Sequence, residues 1–183
     1  MNGHGGTIVS NGTLTLTGDN TDLSGGTTQA QHISVDTGNL STAGGSLVAL
    51  SADPLHLTAR GTFDNTAGTL ATNGALQLTA QSLTNTGGTI TAAGTDATAL
   101  TIAQRFDNTH GTLAAMGATT VQAGDLINQG GTLQVSGAAL SVAANGLLDN
   151  SQQGVIASGW RCATRRAKAM PTSTPRCKPC RIS

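Results

Sequence analysis

Apolar and polar residues alternate in short triplets along most of the chain. Each triplet places a polar residue between two apolar ones, which is the period-2 pattern of a strand with one buried face. The triplets are Leu14-Thr15-Leu16, Ile33-Ser34-Val35, Leu55-His56-Leu57, Leu76-Gln77-Leu78, Leu100-Thr101-Ile102 and Leu140-Ser141-Val142. A further apolar position follows the later triplets, at Phe63, Leu83, Phe106, Leu126 or Ile127, and Leu147 or Leu148. The pattern predicts about three very short strands in each repeating segment.

A second pattern sets the interval between the triplets. A glycine is followed by threonine or a substitute, and then in most copies by an aliphatic residue. The eight copies begin at Gly6, Gly26, Gly45, Gly68, Gly88, Gly111, Gly131 and Gly154, so the successive steps are 20, 19, 23, 20, 23, 20 and 23 residues. A fixed period of this length is typical of a solenoid in which each repeat forms one coil. The later steps alternate, so two coils form a 43-residue double repeat.

An asparagine joins the repeat shortly before the glycine. It stands three residues before the glycine at Asn65, Asn85, Asn108 and Asn128, and four residues before it at Asn150. Asn, Gly, Asp and Thr separate the apolar positions, and these residues favour turns or accept a positive φ. We predict that the asparagines form a ladder at a corner of the coil, with side chains bonded from one coil to the next. The predicted structural positions are these five asparagines with Gly68, Gly88, Gly111 and Gly131.

One repeat of 20 residues cannot bury its apolar triplets alone. Stacked coils can, because each strand then pairs in parallel with the same strand of the next coil, about 4.8 Å away. We therefore predict an all-β chain that forms a right-handed parallel β-helix of about seven coils, each of 20–23 residues. Such a rod would be roughly 33 Å long. A seven-stranded sandwich is the competing all-β fold, but it would show turn signals at a spacing of about 8–12 residues.

Composition and charge divide the chain into two parts. Aromatic residues make up 2% of the chain and tyrosine is absent, which suits the thin core of a solenoid. Residues 1–160 hold all nine aspartates and only Arg60 and Arg105, a formal charge of −7, whereas residues 161–183 hold seven Lys or Arg and no acid, a charge of +7. We predict repeats over residues 1–159 and a basic tail over residues 160–183 that contains Cys and Pro. No run of 18 apolar residues occurs, and we expect no signal peptide.

The tail lacks the triplets and the Gly-Thr phrase, and three interpretations stay open. It is interpreted first as a disordered or frameshifted end of a longer repeat gene. Alternatively, its cations bind anionic surfaces or nucleic acid. The third interpretation is a metal or redox element built from Cys177, Cys180 and Cys162, but a lone C-x-x-C with a distant third cysteine is a weak zinc signal.

Candidate chemistry in the repeats centres on Asp64, Asp107 and Asp149, each directly before the repeat asparagine. Stacking would place neighbouring members about 9.6 Å apart, near the upper limit for an inverting carboxylate pair. Their periodic position at a turn is explained by Asx hydrogen bonds alone. The four histidines, His4, His32, His56 and His110, have no ligand spacing and are expected at the surface. We therefore predict no catalytic residue, no cofactor and no metal.

The phrases NTGGTITAAG, DNTHGTLAAMG and NQGGTLQVSG resemble the haemagglutinin repeats of filamentous-haemagglutinin-like exoproteins. That family includes large adhesins and contact-dependent growth-inhibition proteins of Gram-negative two-partner secretion systems. The resemblance covers roughly residues 1–159 and implies a right-handed β-helical stalk that is secreted through an outer-membrane transporter and displayed on, or shed from, the cell. No functional residue of the family maps onto a motif of this chain.

The function expected from these observations is a non-catalytic structural and adhesive stalk. The expected partners are the secretion transporter and a receptor or glycan on a host or target cell. A small-molecule substrate is not expected. Nucleic acid is expected as a partner only in the alternative in which the basic tail binds it. The other alternative is a β-helical polysaccharide lyase or hydrolase that uses the aspartates.

Overall fold

The computed structural model describes residues 1–159 and 162–166, and every regular element in this part is a β-strand. The strands are β1 (Thr7–Asp22), β2 (Thr27–Ser41), β3 (Ser46–Ala49), β4 (Leu55–Asp64), β5 (Thr69–Thr72), β6 (Leu76–Thr84), β7 (Thr89–Ala92), β8 (Thr98–Asp107), β9 (Thr112–Ala115), β10 (Thr119–Ile127), β11 (Thr132–Val135), β12 (Leu140–Ala144), β13 (Leu148–Asp149), β14 (Val155–Ser158) and β15 (Cys162–Arg166). No helix in this part could cross a membrane.

The strands stack in two series that wind around one axis. The four-residue strands β3, β5, β7, β9, β11 and β14 pair in that order, and the longer strands β4, β6, β8, β10 and β12 form the second series. Strands β1 and β2 run through both series, and all the strand pairs are parallel. This arrangement is a β-solenoid of about seven turns, so the predicted parallel β-helix is confirmed.

The strands are fewer and longer than the triplets predict. Most coils contain one four-residue strand and one strand of nine or ten residues, and in the first coils β1 and β2 extend over 16 and 15 residues. The triplet and the following apolar position lie on the same long strand, because a bulge turns the chain without ending its hydrogen-bonded ladder. In β4 this bulge lies between Ala59 and Thr62.

The core consists of columns of aliphatic side chains with two phenylalanines. The in-register pairing places each inward residue on the equivalent residue of the next coil. One column comes from the short strands, a second from the triplets, and a third from the end of each long strand, where Phe63 and Phe106 are buried. In that order the columns include Leu47, Leu70, Ile90, Leu113, Leu133 and Ile156; Val35, Leu57, Leu78, Leu100, Val121 and Val142; and Leu40, Phe63, Leu83, Phe106, Leu126 and Leu148.

The repeat glycines lie where two coils approach most closely. A Cβ atom at Gly111 would overlap the carbonyl oxygen of Asn85 and crowd the side-chain oxygen of Asn108. The same overlaps occur at Gly88 and Gly131 with their own neighbours. Only glycine leaves room for this approach, which explains why the repeat carries glycine at these positions.

The last described strand lies beyond the predicted boundary at residue 159. Strand β15 pairs in parallel with β12, from Leu140 with Cys162 to Ala144 with Arg166. The remaining tail residues, and the proposed roles of its cysteines and basic side chains, lie outside the described residues. The division of the chain into repeats and tail stays a prediction.

Candidate functional site

The most regular polar feature of the solenoid is a column of asparagine side chains at one corner. Asn65, Asn85, Asn108 and Asn128 have no exposed surface. The side-chain nitrogen of each donates a hydrogen bond to the side-chain oxygen of the asparagine one coil later, at 2.7, 2.7, 2.7 and 2.6 Å, with Asn150 as the last acceptor. We call this column the amide ladder. The structure brings all five predicted asparagines together in it.

Backbone carbonyl groups fix the orientation of each amide. The nitrogen of Asn85 lies 3.2 Å from the carbonyl oxygen of Gly88 in its own coil and 3.2 Å from that of Thr112 in the next. Carbonyl oxygens only accept hydrogen bonds, so the nitrogen faces them and the side-chain oxygen faces the previous coil. The same pattern holds at Asn65, Asn108 and Asn128. The buried amides are therefore satisfied, as burial of a polar group requires.

The ladder has a different cap at each end. At its start the Thr42 hydroxyl donates to the side-chain oxygen of Asn65 at 2.6 Å. At its far end the Asn150 side-chain nitrogen donates to the Gly154 carbonyl oxygen at 2.8 Å. Thr42 is not among the predicted structural positions. It stands three residues before Gly45, where the later repeats have asparagine, so that spacing was the signal that could have found it.

A column of aspartates lies directly beside the amide ladder. One side-chain oxygen of Asp107 accepts hydrogen bonds from the Thr109 amide at 3.1 Å and from the Thr109 hydroxyl at 2.6 Å. Asp64 makes the same two bonds with Thr66, at 2.9 and 2.6 Å. The Ser151 amide donates to Asp149 at 2.9 Å. These are Asx turns, which close the corner of the coil.

The hydrogen bonds at Asp107 and Asp149 favour their ionised carboxylates. Burial raises the pKa of Asp107, but hydrogen bonds from Thr109 and from the Arg105 guanidinium outweigh it, so the pKa lies below its ordinary value. Burial likewise raises the pKa of Asp149, and hydrogen bonds from Gln129 and Ser151 bring it below the ordinary value. A carboxyl with a lowered pKa does not supply a proton at neutral pH, so neither suits the general-acid role.

The aspartates are also separated along the stack. Thr84 lies between Asp64 and Asp107 in the register, and Ile127 lies between Asp107 and Asp149. Adjacent members are thus two strands apart, about 9.6 Å. Each is engaged by its own turn and no two of them converge on a shared cleft. The arrangement closes corners of the coil.

The histidines lie on different parts of the surface and all four are exposed. His4 contacts the Ser24 hydroxyl at 2.8 Å, and His32 lies 3.1 Å from the Asp53 carboxylate. Over the described residues, no three His, Cys, Asp or Glu side chains come close enough together to hold a metal ion.

Comparison with known protein families gives a match to the haemagglutinin repeat over three overlapping segments, residues 2–67, 51–109 and 96–152. The chain belongs to the haemagglutinin repeat family. The three segments together span most of the solenoid, and the amide ladder runs through all of them. No curated protein and no solved structure matches the chain.

Proposed function

We propose that this chain is a non-catalytic stalk segment of a haemagglutinin-like exoprotein and that it makes weak, repeated adhesive contacts. The observation that supports a stalk is the unbroken parallel stack. Every interior coil is hydrogen-bonded on both sides through its backbone, and five coils are also joined through the amide ladder.

Such a stack resists bending. A bend would have to open parallel backbone hydrogen bonds on one side of the rod, and at the ladder corner it would also separate buried amides. Each hydrogen bond contributes only about 1 kcal/mol net, but a buried group that loses its partner costs about 1–3 kcal/mol. A bend of one coil breaks several bonds at once, so the rod holds attached segments at a fixed distance.

The outer face of the short strands supports the adhesive part of the proposal. On β3, β5, β7, β9 and β11 its outward side chains carry no charge, and Val48 is the only apolar one larger than alanine. One column contains Thr27, Ser46, Thr69, Thr89, Thr112 and Thr132. Their hydroxyls make no hydrogen bond to other described residues, so the same small polar group is presented once per coil. Each contact to such a column is weak, and many simultaneous contacts give strong multivalent binding.

The setting of this stalk is part of the proposal. It would reach the surface of a Gram-negative cell as part of a longer exoprotein, through an outer-membrane transporter, and contact a receptor or glycan on a host or target cell. The family membership and the solenoid support this setting.

Beads coated with the full chain at graded densities test the adhesive function. We expect them to agglutinate erythrocytes steeply above a threshold density, whereas the soluble chain binds weakly. The double variant Thr89→Glu/Thr112→Glu should reduce agglutination. The control, Thr79→Glu/Thr101→Glu, changes an equally in-register exposed pair on the long strands and should not. Absence of agglutination at every density, or equal effects of both double variants, would contradict the proposal.

The non-catalytic part has a separate test. The chain should release no reducing ends and no unsaturated sugars from a panel of polysaccharides. If it does release them, and if Asp64→Asn, Asp107→Asn or Asp149→Asn abolishes the release, the lyase or hydrolase alternative replaces this proposal.

A further inference from the structure

Alternating coil lengths leave a notch on the corner where the long strands bulge. Between the column positions Ala80 and Leu83 the chain has two residues, and between Ala123 and Leu126 it also has two. The flanking coils have three residues at the same place. A short coil therefore lies recessed between two longer ones at two points along the rod.

The two recessed corners differ in what fills them. In β6 the corner residues are Gln81 and Ser82, whose side chains occupy the surface. In β10 they are Gly124 and Asp125, and Gly124 has no side chain to fill the recess. A depression of about 400 Å³ is found at the second corner, lined by Gln104, Arg105, Gly124, Asp125, Asn145 and Gly146. We call it the β10 notch.

The rim of the β10 notch carries charged groups that are held in place. The Arg105 guanidinium donates to the Asp107 carboxylate at 2.7 Å. One Asp125 oxygen accepts the Leu147 amide at 2.7 Å, and the other accepts no hydrogen bond from the described residues, in a side chain that is exposed. A charged side chain already oriented by one partner loses less entropy when it binds a second.

Two amide side chains complete the rim and remain available. The Gln104 nitrogen and both polar atoms of the Asn145 side chain make no hydrogen bond to other described residues, and both residues are exposed. The rim of the notch therefore combines hydrogen-bond donors on Arg105, an acceptor on Asp125, and amide groups that both donate and accept.

We propose that the β10 notch binds one sugar residue of an uncharged glycan. Sugar hydroxyls both donate and accept hydrogen bonds, so a ring with several hydroxyls matches this mixed rim. Leu147, next to Gly146 in the chain, is 39% exposed and offers an apolar surface to the C–H face of a sugar ring. This inference rests on the proposed adhesive function and adds to the threonine column a second contact site with a stated ligand class.

The charges and the lining disfavour other ligand classes. Arg105 is already paired with Asp107, and Asp125 adds a negative charge, so the notch has no excess of positive charge to attract an anion. The lining contains no aromatic side chain, which disfavours a flat apolar ligand. The open shape and the absence of an aromatic platform predict weak binding by a single notch, so that adhesion depends on many chains acting together.

Saturation-transfer NMR on the full chain tests the site. The neutral probes are the methyl glycosides of galactose, glucose, mannose and N-acetylglucosamine, and the anionic probes are glucuronic acid and N-acetylneuraminic acid. We expect at least one neutral probe to bind, more strongly than either anion. Arg105→Met and Asp125→Asn should each weaken that binding about tenfold, the usual effect of losing a hydrogen bond to a charged group.

Arg60→Met is the matched control. Arg60 and Arg105 are 56% and 57% exposed, and each forms one ion pair with an aspartate, but Arg60 lies outside the notch. The control should bind like the parent chain. Asp125→Asn retains the oxygen that accepts the Leu147 amide, so thermal unfolding should show the fold intact.

The site is overturned if no neutral probe binds, if the anions bind more strongly, or if Arg105→Met weakens binding no more than Arg60→Met does. These results leave the adhesive proposal testable on its own. If beads carrying Arg105→Met still agglutinate cells at the parent density, the adhesive function stands and the notch is not its site.

Discussion

The first coils and the later coils share one backbone plan but differ at the ladder corner. In both regions the amide of the repeat glycine donates to the carbonyl oxygen three residues earlier: Gly26 to Leu23 at 3.2 Å, and Gly88 to Asn85 at 3.1 Å. The residues at this corner position are Gly3, Leu23 and Thr42 in the early coils, and asparagine in the later ones. The backbone therefore forms the corner without asparagine, and the side-chain amide adds a bond between coils.

The two regions also differ in the completeness of their cores. In the first coil Ile8 and Leu14, which stand at inward positions, are only partly buried. Thr28 occupies the column position that leucine or isoleucine fills in each of the later short strands. The amide ladder thus coincides with the part of the solenoid in which the three columns that contain Leu47, Val35 and Leu40 hold only apolar residues.

Breaking the ladder in its middle should have the largest effect. In Asn108→Ala the buried side-chain oxygen of Asn128 loses its donor, and the Asn85 nitrogen loses the shortest of its acceptors. We expect a loss of about 3 kcal/mol in the free energy of unfolding, measured by urea denaturation. Asn150→Ala, at the half-buried end, should cost only about 1 kcal/mol. Equal losses at both positions would show that the ladder gives no added stability to the interior coils.

Extending the ladder into the early region should stabilise the chain. In Thr42→Asn the new amide can donate to the Asn65 oxygen, as the Thr42 hydroxyl does, and also reach the Gly45 carbonyl in the way that Asn65 reaches Gly68. We expect a gain of about 1 kcal/mol in the same urea titration. Thr42→Val keeps the shape but removes the donor, and should lower stability by about 1–2 kcal/mol. A loss with both variants would mean that the early coil cannot accommodate the amide.

The corner turn allows a smaller test of the same comparison. Gly87 has φ of 63°, and a Cβ atom there would meet nothing within 4 Å, so Gly87→Ala adds backbone strain without a steric clash. We expect a net cost of about 1 kcal/mol in urea, because the strain outweighs the reduced freedom of the unfolded chain. Ala67 already holds φ of 52° at the equivalent turn one coil earlier, so Ala67→Gly should reverse both effects and gain about 1 kcal/mol. Effects of the same sign at the two positions would show that the two turns differ in more than backbone strain.

The smallest effect should come from the aspartate column and should depend on pH. The folded-state pKa values of Asp107 and Asp149 lie below the ordinary value of 3.8. Their ionised forms therefore add stability above that pH, and the contribution is lost as pH falls through the lower folded-state values. The thermal unfolding temperature, measured from pH 6 down to pH 2, should fall less steeply in Asp107→Asn than in the parent chain. An identical decline would show that Asp107 adds nothing to acid stability.

The sequence allows the architecture to be predicted because the repeat supplies the same information many times. The Gly-Thr phrase sets the coil length, and the triplets identify the inward columns, so the parallel stack follows from period and pattern. The bulge between triplet and third apolar residue was not predicted, because a continuous bent strand and two short strands have the same inward residues. The donor and acceptor order of the ladder was also not predicted, since it is set by backbone carbonyls of two coils.

The β10 notch shows a different limit of prediction. It arises because β10 has two residues between its apolar column positions where the flanking coils have three, and because one of these two residues is Gly124. Both signals are present in the sequence, but they identify a recess only after the register of adjacent coils is known. Local patterns predict what each coil contains, whereas the surface between coils depends on differences in length between neighbours.

The direction of the amide ladder has a consequence for how such genes can change. From Asn65 to Asn128, each side-chain amide accepts a hydrogen bond from the coil before it and donates one to the coil after it. A duplicated or deleted 43-residue pair therefore leaves matching partners at the junction, in the correct order and with the same alternation of long and short coils. Recombination between copies could therefore lengthen or shorten the rod without any compensating substitution at the ladder.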